Sequence, residues 1–312
     1  MSKRNSQEAK RAARERLRIE REKQAKKEKM RRTLAISGGI VAVLALAGGI
    51  GWAVTNLTGG EGRWETAAQV AKEGPGASAD GVTYKAPENT LGAGGTDIVI
   101  GDESAEHTLA IYEDMRCPVC AGFEQNVGET VKKGMEDGDY KVSYTFGTFI
   151  DDNPTFSGTG SKNSLSALGA ALNESPEAFM AYKEVLFSKD GHPEEADDKF
   201  GDDAYLIKLA KDVDGLKGNK EFEKAVENGT YDAWAMKISQ QFQDEKIQGT
   251  PTLKLDGKKL TVDGQSPPMM PQQFTSLIEE KLGGGDGGGD GGGDGHDHGD
   301  GHSHGDGHDH SH

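Results

Sequence analysis

The chain has 312 residues, 36 Lys and Arg against 52 Asp and Glu, a net charge of −16, and a hydrophobic content of only 34%. Length alone admits two domains, but about a third of the sequence lacks the apolar residues a core needs, which leaves one globular unit at about 90 to 282. The acidic total conceals a polarity: residues 1–32 carry fourteen Lys and Arg against five Glu, or +9, so −25 falls on everything after them.

That basic segment has Glu15, Glu20, Glu22 and Glu28 interleaved with its cations. The mixture fits a solvated juxtamembrane helix beside anionic lipid better than a nucleic-acid arm. Thr33 to Thr55 is free of charge. As a helix it reaches about 34 Å, against about 30 Å of hydrocarbon in a bilayer, and its glycines are tolerated in membrane helices. Trp52 falls at the outer interface. A cleaved signal peptide is the competing reading, with Ala45 and Ala47 as a small-residue site, but its apolar segment is normally about 7 to 15 residues. Cations flank the cytoplasmic ends of spans, so residues 1–32 are expected inside the cell and residues 57 onward outside. Residues 56–96 are rich in Gly, Pro, Ala, Ser and Thr, with Trp64 to Lys72 the one helix-like piece, and read as a flexible stalk.

The globular part runs over 97–282. Thr108 to Tyr112 has the unbroken apolarity of a buried strand and leads directly into Arg116-Cys117-Pro118-Val119-Cys120. Cys120, Phe123, Val127 and Val131 share one face of a helix opened by Pro118, proline being favoured at a first helical position. Tyr140 to Phe149 alternates as a half-buried strand. The pattern is then helical over about 160–248, with apolar sets such as Leu165/Leu168/Leu172, Phe179/Tyr182/Val185/Leu186 and Trp234/Ile238/Phe242. Thr252 to Leu255 alternates, Asp256-Gly257 is a hairpin turn, Lys258 to Val262 pairs back, and a last helix carries Phe274, Leu277, Ile278 and Leu282.

Cys117 and Cys120 are the only two cysteines of the chain, spaced C-x-x-C at a strand-to-helix turn and on the oxidising side of the expected membrane. At the helix N-cap Cys117 faces unpaired N–H groups and the positive end of the dipole, which lowers its pKa and makes it an exposed nucleophile. Cys120, one turn in, is placed to resolve a mixed disulfide. Arg116 adds local positive charge. A purely structural disulfide closing so short a loop restrains the unfolded chain little. Structural zinc needs four ligands, and outside the tail only His107 and His192 accompany the two sulfurs, both read as surface residues.

Tyr112 to Cys120 and, far downstream, Gly249-Thr250-Pro251-Thr252 resemble the two halves of the active site of DsbA-type thiol:disulfide oxidoreductases, of the membrane-anchored, Gram-positive type. The resemblance covers residues 97–282. It implies an α/β thioredoxin-like fold with an inserted helical subdomain, preceded here by a single transmembrane helix. It also implies a cis proline at Pro251 lying against the cysteine pair, with Thr250 and Pro251 shaping the substrate groove. Implied partners are thiols of exported, unfolded or partly folded proteins, and a membrane quinone reductase of DsbB-like or vitamin K epoxide reductase-like kind, with no cofactor required for catalysis and no nucleic acid. Asp114 matches a common acid three residues before the first cysteine. Ile111 stands where many relatives carry another acid, and Val119 stands where strongly oxidising members carry His. A reductase of the same fold is therefore the alternative direction of electron flow.

Gly283 to His312 contains no apolar residue and is expected to be disordered. A repeat of period six places His296, His298, His302, His304, His308, His310 and His312 among Asp and Gly, a donor set that suits Zn, Ni or Cu. Glycines give these ligands no preorganisation, so a reservoir of modest affinity is expected rather than a fixed centre. In the rival non-enzymatic reading this tail is the working part and the domain a display scaffold.

Overall fold

The computed structural model describes residues 61–283. The basic segment 1–32, the membrane helix expected at 33–55 and the tail histidines His296 to His312 lie outside the described residues. Among the described residues no helix is long and apolar enough to cross a membrane, and no group of three or more His, Cys, Asp and Glu is placed to hold a metal ion.

A helix, α1 (Glu61–Glu73), and a small hairpin, β1 (Ser78–Ala79) and β2 (Val82–Thr83), precede a five-stranded sheet. The sheet opens with β3 (Ile98–Ile100), a strand too short for its pattern to stand out in the sequence. β4 (Thr108–Asp114) is the expected apolar run and ends at the cysteine turn. The redox segment follows as α2 (Pro118–Phe123), a π-helical turn at Glu124–Gly128, and α3 (Glu129–Glu136). After β5 (Lys141–Gly147) come five helices: α4 (Gly160–Glu174), α5 (Pro176–Phe187), α6 (Asp203–Leu209), α7 (Lys220–Glu227) and α8 (Asp232–Asp244). β6 (Thr252–Leu255), β7 (Lys258–Lys259) and α9 (Pro271–Gly283) close the domain.

Strand order is β3-β5-β4-β6-β7, with β4 parallel to β5 and antiparallel to β6. The central position of β4 explains its continuous apolarity, because both of its faces are covered. Leu109 and Ile111 are buried and Glu113 meets Lys183 of α5, while Tyr112 on the other face meets Phe242 of α8 edge-on at 6.3 Å. β5 is covered on both sides too: Tyr144 packs on Phe179, and Gly147 lies where an added Cβ would stand 2.9 Å from Phe242. The β6–β7 turn has positive φ at Asp256 (49°) and Gly257 (78°), as a two-residue hairpin of type I′ requires. The helical stretch is less continuous than its periodicity suggests. Between α5 and α6, residues 188–202 form a loop with one 3₁₀ turn, and it is this loop that reaches the cysteines.

The stalk reading of residues 56–96 is corrected over 61–96, which are docked on the domain. Trp64, Ala67, Val70 and Ala71 of α1 are buried, Val70 clustering with Tyr84 and with Ala233 of α8. Arg63 pairs with the buried Asp232 at the start of α8, with Nη2 to Oδ1 at 2.9 Å, and Asp232 also accepts from Ser166. Trp234 donates to the Gly95 carbonyl at 2.6 Å, Tyr84 to Gly94, and Asn89 to Leu172. The apolar face of α1 is half alanine and sits among Gly- and Pro-rich neighbours, so its hydrophobic signal was too weak to separate a docked helix from a tether. Truncating Arg63 leaves the Asp232 carboxylate buried without its cation. Because Arg63 is partly solvated, Arg63→Ala is expected to cost about 2 kcal/mol, read as a lower denaturation midpoint in urea with an unchanged slope.

Candidate active site

Pro118 starts α2, and Cys117 is its N-cap with extended backbone (φ −72°, ψ 116°). This conformation turns the sulfur back over the first helical turn, where Cys117 Sγ accepts from the Cys120 N–H at 3.4 Å. The Cys117 N–H is tied to the Asp114 carbonyl at 2.9 Å, which fixes the turn leaving β4. Both cysteines are free thiols. The Thr250–Pro251 peptide is cis, and the Thr250 carbonyl faces Cys117 Sγ at 3.8 Å. Residues 133 apart in the chain thus meet at one sulfur because β6, which begins at Thr252, pairs with β4.

The two sulfurs are driven apart in acidity. Cys117 is lowered from 9.0 to about 7, first by its contact with the Cys120 side chain, then by Thr250 and the N–H groups of Cys120 and Val119, all against the opposing effect of burial. Cys120 is pushed well above its ordinary value, mainly by burial and further by Cys117 and the charge of Glu113. Cys117 is therefore the thiolate and Cys120 the thiol of the reduced pair. The expectation of an exposed nucleophile is corrected: Cys117 is only 6% exposed, because the 250–251 segment lies over it, whereas Val119 beside it is 42% exposed.

Two buried charge clusters flank the pair. On the Cys120 side, Lys183 of α5 lies 3.3 Å from Glu113 and 2.7 Å from Glu124, with its ammonium 4.7 Å from the Tyr144 ring. Burial lowers the Lys183 pKa, but the two carboxylates outweigh it and the ammonium is retained. Glu113 has no exposed surface, and burial, reinforced by Glu124, holds its carboxyl well above the usual range. Glu124 stands at the start of the π-helical turn, an irregularity often found at functional sites, and is 12% exposed. Ile111 is thus followed two residues on by a buried carboxyl of the same strand face. A lone Glu in an apolar strand and a Lys between Phe179 and Phe187 were the signals in the sequence, and only the fold pairs them.

On the other side lie Asp114 and Arg116. Asp114 accepts from Arg116 N at 3.0 Å, Ser161 Oγ at 2.6 Å and Ile150 N at 3.2 Å. Burial, with Asp151 nearby, pushes its carboxyl up to about 8 against those donors. Arg116 does not place its charge beside Cys117 as expected. Its side chain is 1% exposed and enters an ion pair with Asp151 at 2.9 Å. His192 is corrected as well, being half-buried, stacked on Phe187 and bonded through Nε2 to the Met115 carbonyl at 3.1 Å.

Pro118, Ala121, Gly122 and Gln125 of the redox segment and Ser188, Lys189, His192, Pro193 and Glu194 of the following loop line a groove of about 280 Å³ next to the cysteine turn. A wider groove of about 850 Å³ lies between α1, the β1–β2 hairpin and the Asn228–Asp232 turn, but no sulfur borders it. Chemistry rather than volume selects the first.

An acidified sulfur at a helix start, a second buried thiol one turn in and a cis proline across from them, all at the end of a central parallel strand, define a thiol–disulfide oxidoreductase. Residues 93–280, more than half of the chain, match the thioredoxin family model. The chain belongs to that family, as a DsbA-like member with its helical region inserted between β5 and β6. It is 27% identical over 161 residues to disulfide bond formation protein D of Bacillus subtilis (strain 168), covering 51% of this chain and 68% of the relative. Among solved structures, oxidised BdbD from Bacillus subtilis aligns with a TM-score of 0.50 at 23% identity, over 64% of this chain and 99% of that one, a likeness of fold. The reduced disulfide oxidoreductase DsbG of Mycobacterium tuberculosis aligns over 59% of this chain and 83% of that one, at 26% identity and a TM-score of 0.48.

Because the Cys117 pKa is depressed on folding, its ionisation stabilises the reduced protein increasingly as pH rises from about 7 toward 9, and that contribution is lost as pH falls through about 7. Alkylation of the reduced protein by iodoacetamide should take one equivalent, at Cys117, with a rate that is half-maximal near pH 7; equal labelling of Cys120 would contradict the assignment.

Proposed function

We propose that the chain exchanges disulfides with exported, still unfolded proteins on the outer side of a membrane, as an oxidase or isomerase. The observation that carries this reading is the split in acidity between Cys117 and Cys120 beneath the Thr250 carbonyl. In the oxidised form a substrate thiolate attacks Cys117 Sγ. The Cys117–Cys120 bond breaks, a substrate–Cys117 disulfide forms, and Cys120 leaves as a thiolate that takes up a proton. Glu113, whose carboxyl burial and Glu124 hold well above the usual range, is the acid on the Cys120 side, and Lys183 pairs it with the partly exposed Glu124. A second substrate thiolate then attacks the substrate sulfur of the mixed disulfide and releases Cys117 as its stable thiolate. Two electrons pass from the substrate dithiol to the cysteine pair; the dithiol gives up two protons, one of which is balanced by the proton taken up at Cys120 and the other of which goes to solvent, since Cys117 is left as the thiolate.

Thr250 and Pro251 form the opposite wall of the site, and an extended substrate backbone pairs with the edge at Thr250 by strand addition. Val119, between the two cysteines, is exposed. A membrane quinone reductase returns the pair to the disulfide. The membrane location rests on the uncharged stretch Thr33–Thr55 and the basic segment before it. The relative named for disulfide bond formation supports the oxidative direction.

A Cys117 pKa of about 7 is the specific observation in favour of the reverse direction. Values near 7 accompany thioredoxin, whereas DsbA lies near 3.5, and Val119 supplies no donor to deepen the shift. Cys120→Ala is expected to trap mixed disulfides through Cys117 in cells, visible as adducts on non-reducing gels that disappear with Cys117→Ser; no adduct at all would overturn the exchange mechanism. A reduction potential near about −120 mV would establish the oxidase, and one near about −270 mV the reductase.

A further inference from the structure

Arg116 is among the largest fully buried side chains of the domain and directly precedes Cys117 in the chain. A guanidinium removed from water is costly, and an aliphatic residue would fill the same space at less cost; here both terminal nitrogens are paired while the buried Nε has no partner among the described residues. Its hydrogen bonds show what it holds together. One terminal nitrogen binds Asp151 at 2.9 Å and Asp198 at 3.2 Å, and the other donates to the carbonyls of Phe156 at 2.8 Å and Glu195 at 2.9 Å. All four partners belong to the chain inserted between β5 and β6, and they come from two separate loops, 150–157 and 194–198.

The two acids do not serve Arg116 alone. Asp151 accepts from the N–H groups of Ser161 and Lys162, and Asp198 from those of Thr159 and Gly160, all at 2.9 Å. They therefore bridge the guanidinium to the N-terminus of α4, two positive groups that would repel without them. Gly160 allows the approach, since a Cβ there would stand 3.0 Å from Arg116 Cδ and 2.5 Å from an Asp198 oxygen. The preceding residue is held by the same loop, because His192 bonds the Met115 carbonyl. From 114 to 117 the backbone between strand and sulfur is thus tied at successive positions: Arg116 N to Asp114, Cys117 N to the Asp114 carbonyl, and Met115 O to His192.

We propose that Arg116 is a positioning residue that clamps the catalytic loop to the helical insertion, with His192 as its second fastening, so that the insertion sets where Cys117 Sγ lies relative to the start of α2. The inference rests on the reading that Cys117 is the sulfur that exchanges with substrate. The insertion is then part of the redox centre, not only a cover for it, and the loop that lines the adjacent groove is fixed by the same two side chains.

Arg116→Lys keeps a cation within reach of Asp151 but loses the planar fork that serves two carbonyls and two carboxylates together. In the full chain it is expected to lower kcat for oxidation of a dithiol peptide about tenfold, the size of effect that loss of alignment produces. The midpoint of Cys117 thiolate absorbance should rise, with the circular dichroism spectrum unchanged. His192→Leu, which removes one hydrogen bond from a half-buried site, is expected to shift both quantities in the same direction by less, and it supplies the test if Arg116→Lys fails to fold. A folded Arg116→Lys or His192→Leu with wild-type kcat and wild-type thiolate midpoint overturns the proposal. Cys117→Ser, run in parallel, must abolish the reaction; if it does not, the reading of the attacking sulfur has failed instead.

Discussion

The attraction between one sulfur and the first turn of α2 is the interaction on which the rest of the site depends. A thiol in a dry interior is a weak acid, because burial penalises the charged form. Cys117 is almost as buried as Cys120, yet it moves down in pKa while its neighbour moves up. The difference comes from position: the N-cap sulfur is stabilised first by the Cys120 side chain and then by Thr250 and the N–H groups of Cys120 and Val119, whereas for Cys120, one turn in, burial outweighs its one backbone donor. Attack, leaving group and order of events follow from that single offset.

Around it the fold places charges where a hydrophobic core would ordinarily exclude them. Glu113, Lys183 and Glu124 form one buried ion-pair cluster, and Asp114, Arg116, Asp151 and Asp198 tie the catalytic loop to α4. The clusters lie on opposite faces of β4, since Glu113 and Asp114 are successive residues of one strand. The alternation of a strand thus divides the two charge clusters between adjacent side chains. Both clusters draw partners from the helical insertion, Lys183 from α5 and Asp198 from the loop after it. The insertion thus contributes side chains to both clusters that flank the cysteines.

The N-terminal part of the described chain changes how that centre is presented. With α1 fastened to α8 through Arg63 and Asp232, and Trp234 bonded to Gly95, residues 61–96 extend the folded body instead of separating it from what precedes it. Only residues 56–60 then separate the uncharged stretch from the docked helix. Reach that a free stalk of 41 residues would have supplied is absent over most of that segment.

Local order was legible in the residues themselves. The apolar run of β4, proline at the start of α2, the Asp256-Gly257 turn and the C-P-x-C spacing each act over a few positions, so the strand–helix turn and the paired cysteines could be placed without coordinates. What needed the tertiary structure was every pairing between distant segments and every statement of exposure. Arg116 next to Cys117 reads as a local charge, and only the approach of loops 150–157 and 194–198 turns it inward. Glu113 reads as a strand terminus until Lys183, seventy residues later, meets it. Desolvation and ion pairing depend on neighbours that chain order does not specify, whereas helix starts, turns and periodicity depend on the backbone and the next few side chains.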